Sequence, residues 1–503
     1  MTFPVISVIV FTLATAALII LMMPAEKKDL VRTIALAAAA FALSLSLWVY
    51  LGYDKHVAGY QFIEHYNWLP AFGISLYFGV DGMSAPLVLL TGVVMFTGVL
   101  ISWGDHNKHV SAGIQDRPRE FFAFLFVLAS GVFGVFVSLD LFMLFFFYEI
   151  AVFPMYLLIV IWGWIQTREY AAMKLTLYLF MGSVVSLVGA LAMYWVAGQN
   201  TGVYTFDMLQ LEKAGFSGSF QILWFLPVFF GFAVLGGIWP FHNWSPDGHV
   251  AAPTAVSMFH AGVLMKLGAF AALRVGIMLL PEGAKHWSWL IMLCAAIAVV
   301  YGAFIAFVQT DFKYVIGFSS VSHMGLVMLG LSTLSREGLT GAGMQMFSHG
   351  VMTALFFAVV GMVYDRAHTR HIPDLGGLSK ALPWPAIGFI IGSLVSMGMP
   401  GFSGFIAEFP IFLGVWKTQW AVAVFASISI IVTAAYVMLV VRRVFFGQIP
   451  DKLDGHITPI TVFDKVAIGT LCSLMVGIGL FPVLMVPLVQ TGVNNILRLL
   501  GGA

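Results

Sequence analysis

Long apolar runs separated by short polar segments dominate the chain along its whole length. A helix needs about 20 mostly apolar residues to cross the hydrocarbon core of a bilayer, and about 14 runs approach this length. The predicted spans are 3–23, 30–51, 80–103, 120–138, 140–164, 172–197, 222–243, 252–280, 287–308, 313–332, 338–364, 384–415, 419–445 and 464–495. The pattern therefore predicts an all-α membrane protein.

The polar segments between these runs are too short for a soluble domain, and we interpret them as linkers. The longest are 52–78, 104–119, 198–221 and 446–463. Asp140 opens the fifth span after a very short turn, where its carboxylate can cap the free amides of the new helix. Residues 3–23 have no basic segment in front of them, so we expect a first span and not a cleaved signal.

Composition supports a lipid environment and excludes several classes of site. The 503 residues are 60% hydrophobic and 9% charged, whereas soluble domains carry about 25% charged residues. The net charge of +1 gives no field that would attract nucleic acid. Cys294 and Cys472 are too few for an iron–sulfur cluster, which needs about four thiolates. We see no nucleotide-binding glycine loop and no His/Cys spacing typical of a metal site.

Basic residues are distributed unevenly over the two sides of this topology. The loops after odd-numbered spans, among them the loop with Lys108, hold about twice as many Lys and Arg residues as the opposite loops, and such a bias marks the cytoplasmic side. We therefore expect these loops in the cytoplasm and both termini outside it.

Three ionisable residues stand out within predicted spans, where a charge costs about 2.5–3.5 kcal/mol on insertion scales and indicates a functional position. Glu149 lies in span 5, Lys266 in span 8 and Glu408 in span 12. The MPGFSG sequence at 399–404 should break span 12 beside Glu408, as in ion pathways of transporters. Structural alternatives are open: a neutral buried carboxyl for Glu149, an ion pair for Lys266 and a packed kink at Glu408.

Three histidines lie well inside predicted spans: His260 on span 8, His323 on span 10 and His349 on span 11. Because histidine titrates near physiological pH, a chain of such residues suits a proton relay. A single buried histidine is more often only hydrogen-bonded, so this alternative stays open for each of the three.

A further polar group is expected at the cytoplasmic ends of the spans. His242, Asp247 and His249 in the sequence PFHNWSPDGH form either a proton entrance or a solvated turn. Lys174, near the cytoplasmic end of span 6, either extends its ammonium group to the interface or joins a polar network.

The order of the spans indicates an internal inverted repeat. Spans 4–8 (119–280) and 9–13 (281–446) make two units of five, and because five is odd the second unit enters from the opposite side. The fourth helix of each unit carries a break signal, GGIWP in span 7 and MPGFSG in span 12. Spans 1–3 occupy residues 1–118 and span 14 lies in 447–503. We predict two half-channels joined by the titratable groups.

Six segments together resemble the subunit M family of bacterial complex I, the counterpart of mitochondrial chain 4 among the antiporter-like subunits. They are LFFFYEIAVFPMYLLI, PFHNWSPDGHVAAPT, DFKYVIGFSSVSHMGLV, MFSHG, YDRAHTRHI and MPGFSGFIAEF. The resemblance implies that Glu149 modulates a lysine, that Lys266 is the central relay lysine and that Glu408 is the exit carboxylate. It also implies that His323 and His349 belong to a polar axis.

The resemblance further implies a proton-translocating subunit of NADH:quinone oxidoreductase in the bacterial inner (plasma) membrane. Its expected partners are the other membrane subunits, including neighbouring antiporter-like subunits, and the lipid bilayer, but not nucleic acid. FMN, iron–sulfur clusters and quinone are expected on partner subunits, with no cofactor on this chain.

One departure from the family concerns span 7, where a lysine usually partners the span 5 glutamate. The stretch GFAVLGGIWPFHNW contains no lysine, and Leu235 takes its place. Three hypotheses are open: His260 or Lys266 replaces the partner, pumping is altered, or the chain is a partly inactive subunit of a variant complex. Competing functions are a cation/proton antiporter subunit, a hydrogenase-type membrane complex and a structural scaffold.

Overall fold

The computed structural model describes residues 3–103, 114, 116–453, 455 and 457–501. Most of the predicted linker 104–119, including Lys108, lies outside the described residues. The α-helices are α1 (Val5–Leu21), α2 (Lys28–Gly52), α3 (Ser84–Trp103), α4 (Pro118–Val137), α5 (Leu141–Trp162), α6 (Arg168–Thr201), α7 (Met208–Leu211), α8 (Gly218–Ala233), α9 (Trp244–Ala251), α10 (Thr254–Phe259), α11 (Met265–Ala271), α12 (Pro281–Val308), α13 (Phe312–Ser332), α14 (Arg336–Ala367), α15 (Pro383–Ser396), α16 (Ser403–Thr418), α17 (Trp420–Val440), α18 (Val462–Leu480) and α19 (Val486–Leu499).

Among the described residues, 11 helices are long and apolar enough to cross a membrane. One of them is the continuous segment Thr254–Ile277, in which π-helical turns at His260–Leu264 and Ala272–Ile277 interrupt the α-helix. Three shorter apolar helices are α1, α8 and α15. The prediction of a helical protein with many membrane spans is confirmed at this level.

A two-stranded sheet lies where the sequence predicted a linker in an all-α fold, so that part of the prediction was wrong. Strand β1 (Gln61–Leu69) pairs antiparallel with β2 (Ile74–Val80). The Glu64 carboxylate accepts bonds from the amides of Ile6 and Ser7, which ties the hairpin to the start of α1. The strands have only nine and seven residues, so neither makes an apolar run as long as those that predict a span.

Both predicted helix breaks are present. Residues 234–243 separate α8 from α9, and residues 397–402 separate α15 from α16. Gly237 and Gly398 adopt φ values of 72° and 65° at these breaks. Glycine reaches such left-handed conformations without the steric cost that a Cβ atom imposes.

Span 8 packs closely against the first break. A Cβ atom on Gly268 of α11 would lie 2.3 Å from the backbone nitrogen of Gly236 and 2.7 Å from the carbonyl carbon of Leu235. The side chain of Leu235 is fully buried. At the position where the family usually has a lysine, this chain therefore has an apolar side chain in the core.

The last predicted span, 464–495, is two helices and not one. Helix α18 ends at Leu480, a short 3₁₀ turn follows at Pro482–Leu484, and α19 then packs against α14. Pro482 has no amide hydrogen to continue α18, and the residue before a proline is disfavoured in a helix. This explains the end of α18, which the uninterrupted apolar composition concealed.

Candidate proton-transfer site

Buried ionisable side chains line the interior from the first helix break to the second. They come from five elements: α9, the segment 254–277, α13, α14 and α16. In chain order they are His249, His260, Lys266, His323, His349 and Glu408. Each is at most 5% exposed. Five of the seven residues singled out for proton transfer are therefore in one region, and His249 joins them.

Lys266 is fully buried in α11 without an ion pair among the described residues. Its ammonium group donates a hydrogen bond to the backbone oxygen of Ala261, in the π-helical turn just before it. A π turn shifts the backbone bonding pattern and is frequent at functional sites. The alternative of a structural ion pair for Lys266 was wrong.

Two histidines pack against each other near Lys266: His249 on α9 and His260 in the π-helical turn before Lys266. The ring centroids of His249 and His260 are 4.2 Å apart, and the Trp244 ring stacks on His260 at 5.3 Å. His249 Nε2 lies 3.0 Å from Ser245 Oγ. The hypothesis of a solvated turn was wrong for the side chains of His249 and His242, which are 0% and 2% exposed.

Glu408 and His323 lie next to each other at the second break. His323 Nδ1 lies 3.2 Å from Glu408 Oε1, and His323 Nε2 lies 3.0 Å from Ser396 Oγ. The Gln345 amide donates to the same Glu408 oxygen at 3.2 Å. The His349 ring stacks on His323 with centroids 5.3 Å apart. The break therefore brings a carboxylate to a histidine, which a merely packed kink would not do.

Glu408 also touches the outer surface of the chain. A lateral cavity of about 440 Å³ between α16 and α17 is bordered by Glu408, by Gly398 and by apolar side chains. A Cβ atom on Gly398 would lie 2.9 Å from Glu408 Oε2. One carboxylate oxygen thus lies near the interior histidine and accepts a hydrogen bond from Gln345, and the other lies beside the break at the edge of the cavity.

Lys174 belongs to a polar network at the other end of this line. Its ammonium group donates to Asp247 Oδ2 at 2.7 Å, and the Tyr314 hydroxyl donates to Asp247 Oδ1 at 3.0 Å. The side chains of Lys174 and Asp247 are 20% and 23% exposed, so the network reaches the surface of the chain. The structure favours the network alternative for Lys174.

Glu149 belongs neither to the buried line nor to the network of Lys174. It is exposed on α5, on the face that also carries exposed Phe146 and Phe153. Its neighbours Phe145 and Tyr148 turn inward to the ring of Phe232. The alternative of a neutral, buried carboxyl was wrong, because in this chain the side chain faces outward.

The sequence analysis missed Lys313, which it counted as a loop residue. Lys313 is 5% exposed, and its ammonium donates to the Ala252 oxygen at 2.7 Å and to Ser257 Oγ at 3.2 Å. Arg370 Nη1 donates to the Val250 oxygen at 3.1 Å. Two cations therefore satisfy the free carbonyls and the negative dipole end of α9. The DFK sequence at a helix start was the available signal, since Asp311 caps α13.

No group of three or more His, Cys, Asp or Glu residues in the described part of the chain is arranged to hold a metal ion. The cysteines Cys294 and Cys472 are both free thiols. The chemistry that this arrangement supports is proton transfer between side chains.

Comparison with known proteins identifies the family. The family described as NADH:quinone oxidoreductase/Mrp antiporter, TM, matches residues 138–433. NADH-quinone oxidoreductase subunit M of Rhodobacter capsulatus is 36% identical over 472 residues, which cover 92% of this chain and 90% of that protein.

Solved structures agree with this assignment. The fold matches a chain of respiratory complex I from Thermus thermophilus with a TM-score of 0.88 and 26% identity, over 99% of this chain and 100% of that one. A chain of the Mrp complex from Dietzia sp. shares the fold alone, with a TM-score of 0.85 and 20% identity, over 99% of this chain and 98% of that one. The chain belongs to the subunit M, or chain 4, family of NADH:quinone oxidoreductases.

Proposed function

We propose that this chain translocates protons as a membrane subunit of an NADH:quinone oxidoreductase, and that the proton passes from Lys266 through His349 and His323 to Glu408. The observation that carries the proposal is a fully buried lysine without a counter-charge at one end of a line of histidines, with a hydrogen-bonded carboxylate at the other end. The family of the chain supports the same function.

A buried charge has a high free energy in this interior, so the protonation of Lys266 and of the histidines responds to nearby charges. An unpaired ammonium group costs several kcal/mol in a low-dielectric environment. A positive charge that approaches Lys266 therefore drives its proton away, and Glu408 stabilises the proton at the far end. Ring nitrogens of His260 and His349 have no protein hydrogen-bond partner among the described residues, so internal water is their natural partner during transfer.

Protons enter, in this proposal, at the network of Lys174, Asp247 and Tyr314 and reach Lys266 through His249 and His260. The proposed topology has fourteen spans, with α8 and α9 sharing span 7 and α15 and α16 sharing span 12. The two units of five, 119–280 and 281–446, are related by inversion, with spans 1–3 before them and span 14 after them. The network then lies on the cytoplasmic side, and both termini lie outside.

Partner subunits supply the energy. FMN, iron–sulfur clusters and quinone are assigned to them, and electron transfer there shifts charges that act on this chain through the membrane plane. Glu149 is exposed on an apolar face, where a charged group of a neighbouring antiporter-like subunit can approach it. Because Coulomb interactions are strong at low dielectric, such a group changes the charge state of the line without contacting it.

The experiment that tests this function is NADH-driven proton pumping in sealed membrane vesicles with Lys266→Met at matched assembly of the complex. We expect both electron transfer and pumping to fall, because the interior can no longer accept a proton. Lys285→Met is the control, since that lysine is exposed and paired only with Glu282. Normal pumping by Lys266→Met would refute the function proposed for this residue.

A second candidate, a subunit of a cation/proton antiporter, is favoured by one observation: the matched family also includes Mrp antiporters. Purification of the native complex separates the two. Flavin and iron–sulfur subunits in the preparation support the oxidoreductase, and antiporter-like chains alone support the antiporter. Iron–sulfur subunits without flavin would indicate a hydrogenase-type complex, and a purified complex that moves no ions would indicate a structural subunit.

A further inference from the structure

Arg274 and Asp81 form a buried ion pair that the proposed proton route does not use. Arg274 Nη1 donates to Asp81 Oδ2 at 2.8 Å and to the Tyr60 hydroxyl at 2.7 Å. The two charged side chains are only 4% and 2% exposed. The pair lies at the end of span 8 that the proposed topology places outside the cytoplasm.

The surrounding structure fixes the position of this pair. Asp81 Oδ1 accepts bonds from the amides of Met83 and Ser84, so the carboxylate also caps the start of α3. A Cβ atom on Gly82 would lie 1.9 Å from the Leu488 oxygen, so α19 lies directly against this loop. The ion pair is thus covered by backbone and cannot turn toward solvent as a surface pair does.

An apolar layer separates the pair from Lys266. Lys266, Phe270 and Arg274 follow one another at intervals of four along span 8, so they share one face of the helix. The guanidinium carbon lies 4.9 Å from the centre of the Phe270 ring, and Phe136 meets that ring edge-on at 5.3 Å. Outward from Lys266, the next side chains on this face are an aromatic ring and then a fixed ion pair.

The chemistry of arginine suits a barrier better than a relay. A guanidinium group stays protonated under all ordinary conditions and therefore cannot pass a proton on. A buried ion pair is also weak evidence for stability, because apolar side chains of similar volume are often as good or better. In channels, a fixed arginine excludes protons and cations from a pathway.

We propose that the Arg274–Asp81 pair, together with Phe270, is a fixed barrier that closes the outer side of the first repeat. A proton on Lys266 then leaves only sideways, through the histidines toward the second break. This inference rests on the proposed function of Lys266, and it explains why the proton does not take the shorter way out along span 8.

The test measures passive proton leakage of the whole complex in sealed vesicles without NADH. For Arg274→Gln we expect an imposed pH gradient to decay about tenfold faster, the rate change for a barrier lower by about 1.4 kcal/mol. The matched control is Arg366→Gln, which breaks another buried pair, with Asp464, whose side chains are 7% and 8% exposed. This control should stay proton-tight, because it leaves Arg274, Asp81 and Phe270 in place.

A proton-tight Arg274→Gln complex that assembles normally would overturn the barrier. If this variant fails to assemble, Phe270→Ser opens the apolar layer and leaves the ion pair in place, and a proton-tight Phe270→Ser complex would overturn the barrier equally. Adding Lys266→Met to a leaking variant should stop the leak. If the leak persists in the double variant, the inference of a barrier still stands, but the role of Lys266 in the proposed function is refuted.

Discussion

His323 Nδ1 and Glu408 Oε1 lie 3.2 Å apart, although one residue is on an unbroken helix and the other is on the half-helix after a break. The break places the carboxylate opposite the histidine, and Gln345 donates to the same oxygen. A proton that arrives on His323 can therefore pass directly to Glu408. The helix break therefore positions the carboxylate that accepts the proton in the proposed route.

The close packing of span 8 on the first break predicts the effect of Gly268→Ala. The added methyl group would meet backbone atoms of residues 235 and 236, which cannot move aside as a side chain can. We expect a loss of about 1–3 kcal/mol in stability, as for other overpacked sites, with impaired coupling. Thermal unfolding of the purified complex measures the first effect.

Gly469→Ala on α18 is the control for this substitution. A Cβ atom there meets nothing within 4 Å, and alanine favours the helix by up to about 1 kcal/mol. Equal melting temperatures of the two variants would contradict the proposed packing at Gly268.

Lys313→Met tests whether the cation at the end of α9 is structural. The substitution leaves the Ala252 oxygen buried without its donor, and such an unsatisfied group costs about 1–3 kcal/mol. We expect a lower melting temperature of the complex than with Lys380→Met, which changes an exposed lysine. Equal melting temperatures of the two variants would show that the Lys313 cation is not structural.

Asp140 predicts a pH dependence of stability. This residue lies in the turn between α4 and α5, where it accepts bonds from the amides of Ser75 and Met143. Burial raises the pKa of its carboxyl to about 6, despite these bonds. The folded protein therefore holds this proton more tightly than the unfolded chain does. Its contribution to stability is complete at pH values below about 4 and is lost as the pH rises through about 6.

The measurement is the melting temperature between pH 4 and pH 8 for the parent chain and for Asp140→Asn. Between these limits we expect about 3 kcal/mol of pH-dependent stability in the parent, from the shift in pKa, and a flatter profile in Asp140→Asn. Asp29→Asn is the control, because that side chain is exposed. Identical profiles for the parent and Asp140→Asn would disprove the assignment.

Glu149→Gln separates the role of an exposed carboxylate from any role in folding. Because the side chain faces outward without a bonded partner among the described residues, we expect the stability to change by less than about 0.5 kcal/mol. Coupled electron transfer and pumping in the complex should nevertheless fall, if a charge of a neighbouring subunit acts on Glu149. Unchanged pumping would mean that no charge of a neighbouring subunit acts on this chain through Glu149.

Lys266 and Glu408 could be identified from the sequence because a charge within an apolar run is conspicuous whatever the fold. The direction in which a side chain points could not be identified from the sequence. Helix α5 is apolar on all sides, so its composition does not reveal which face meets lipid or a partner and which meets the core. For this reason the sequence did not show that Glu149 is exposed, whereas the structure places it on the surface and His323 in the interior.

The burial of Lys313 and His249 could not be predicted from the sequence for a related reason. Lys313 and His249 lie near polar segments, and a polar segment ordinarily indicates solvent. They are buried because α9 is a half-helix whose end needs cations and whose side chains point into the bundle. Only the tertiary arrangement of the broken span shows this.

The account depends most directly on proton transfer through Glu408, and NADH-driven pumping by Glu408→Gln at matched assembly is the measurement that tests it. The control is Glu337→Gln, since that carboxylate is paired with Lys417 at the surface, where such pairs contribute little. The account predicts that Glu408→Gln pumps fewer protons per electron, while Glu337→Gln pumps normally. An unchanged proton-to-electron ratio in Glu408→Gln would contradict the proposed route.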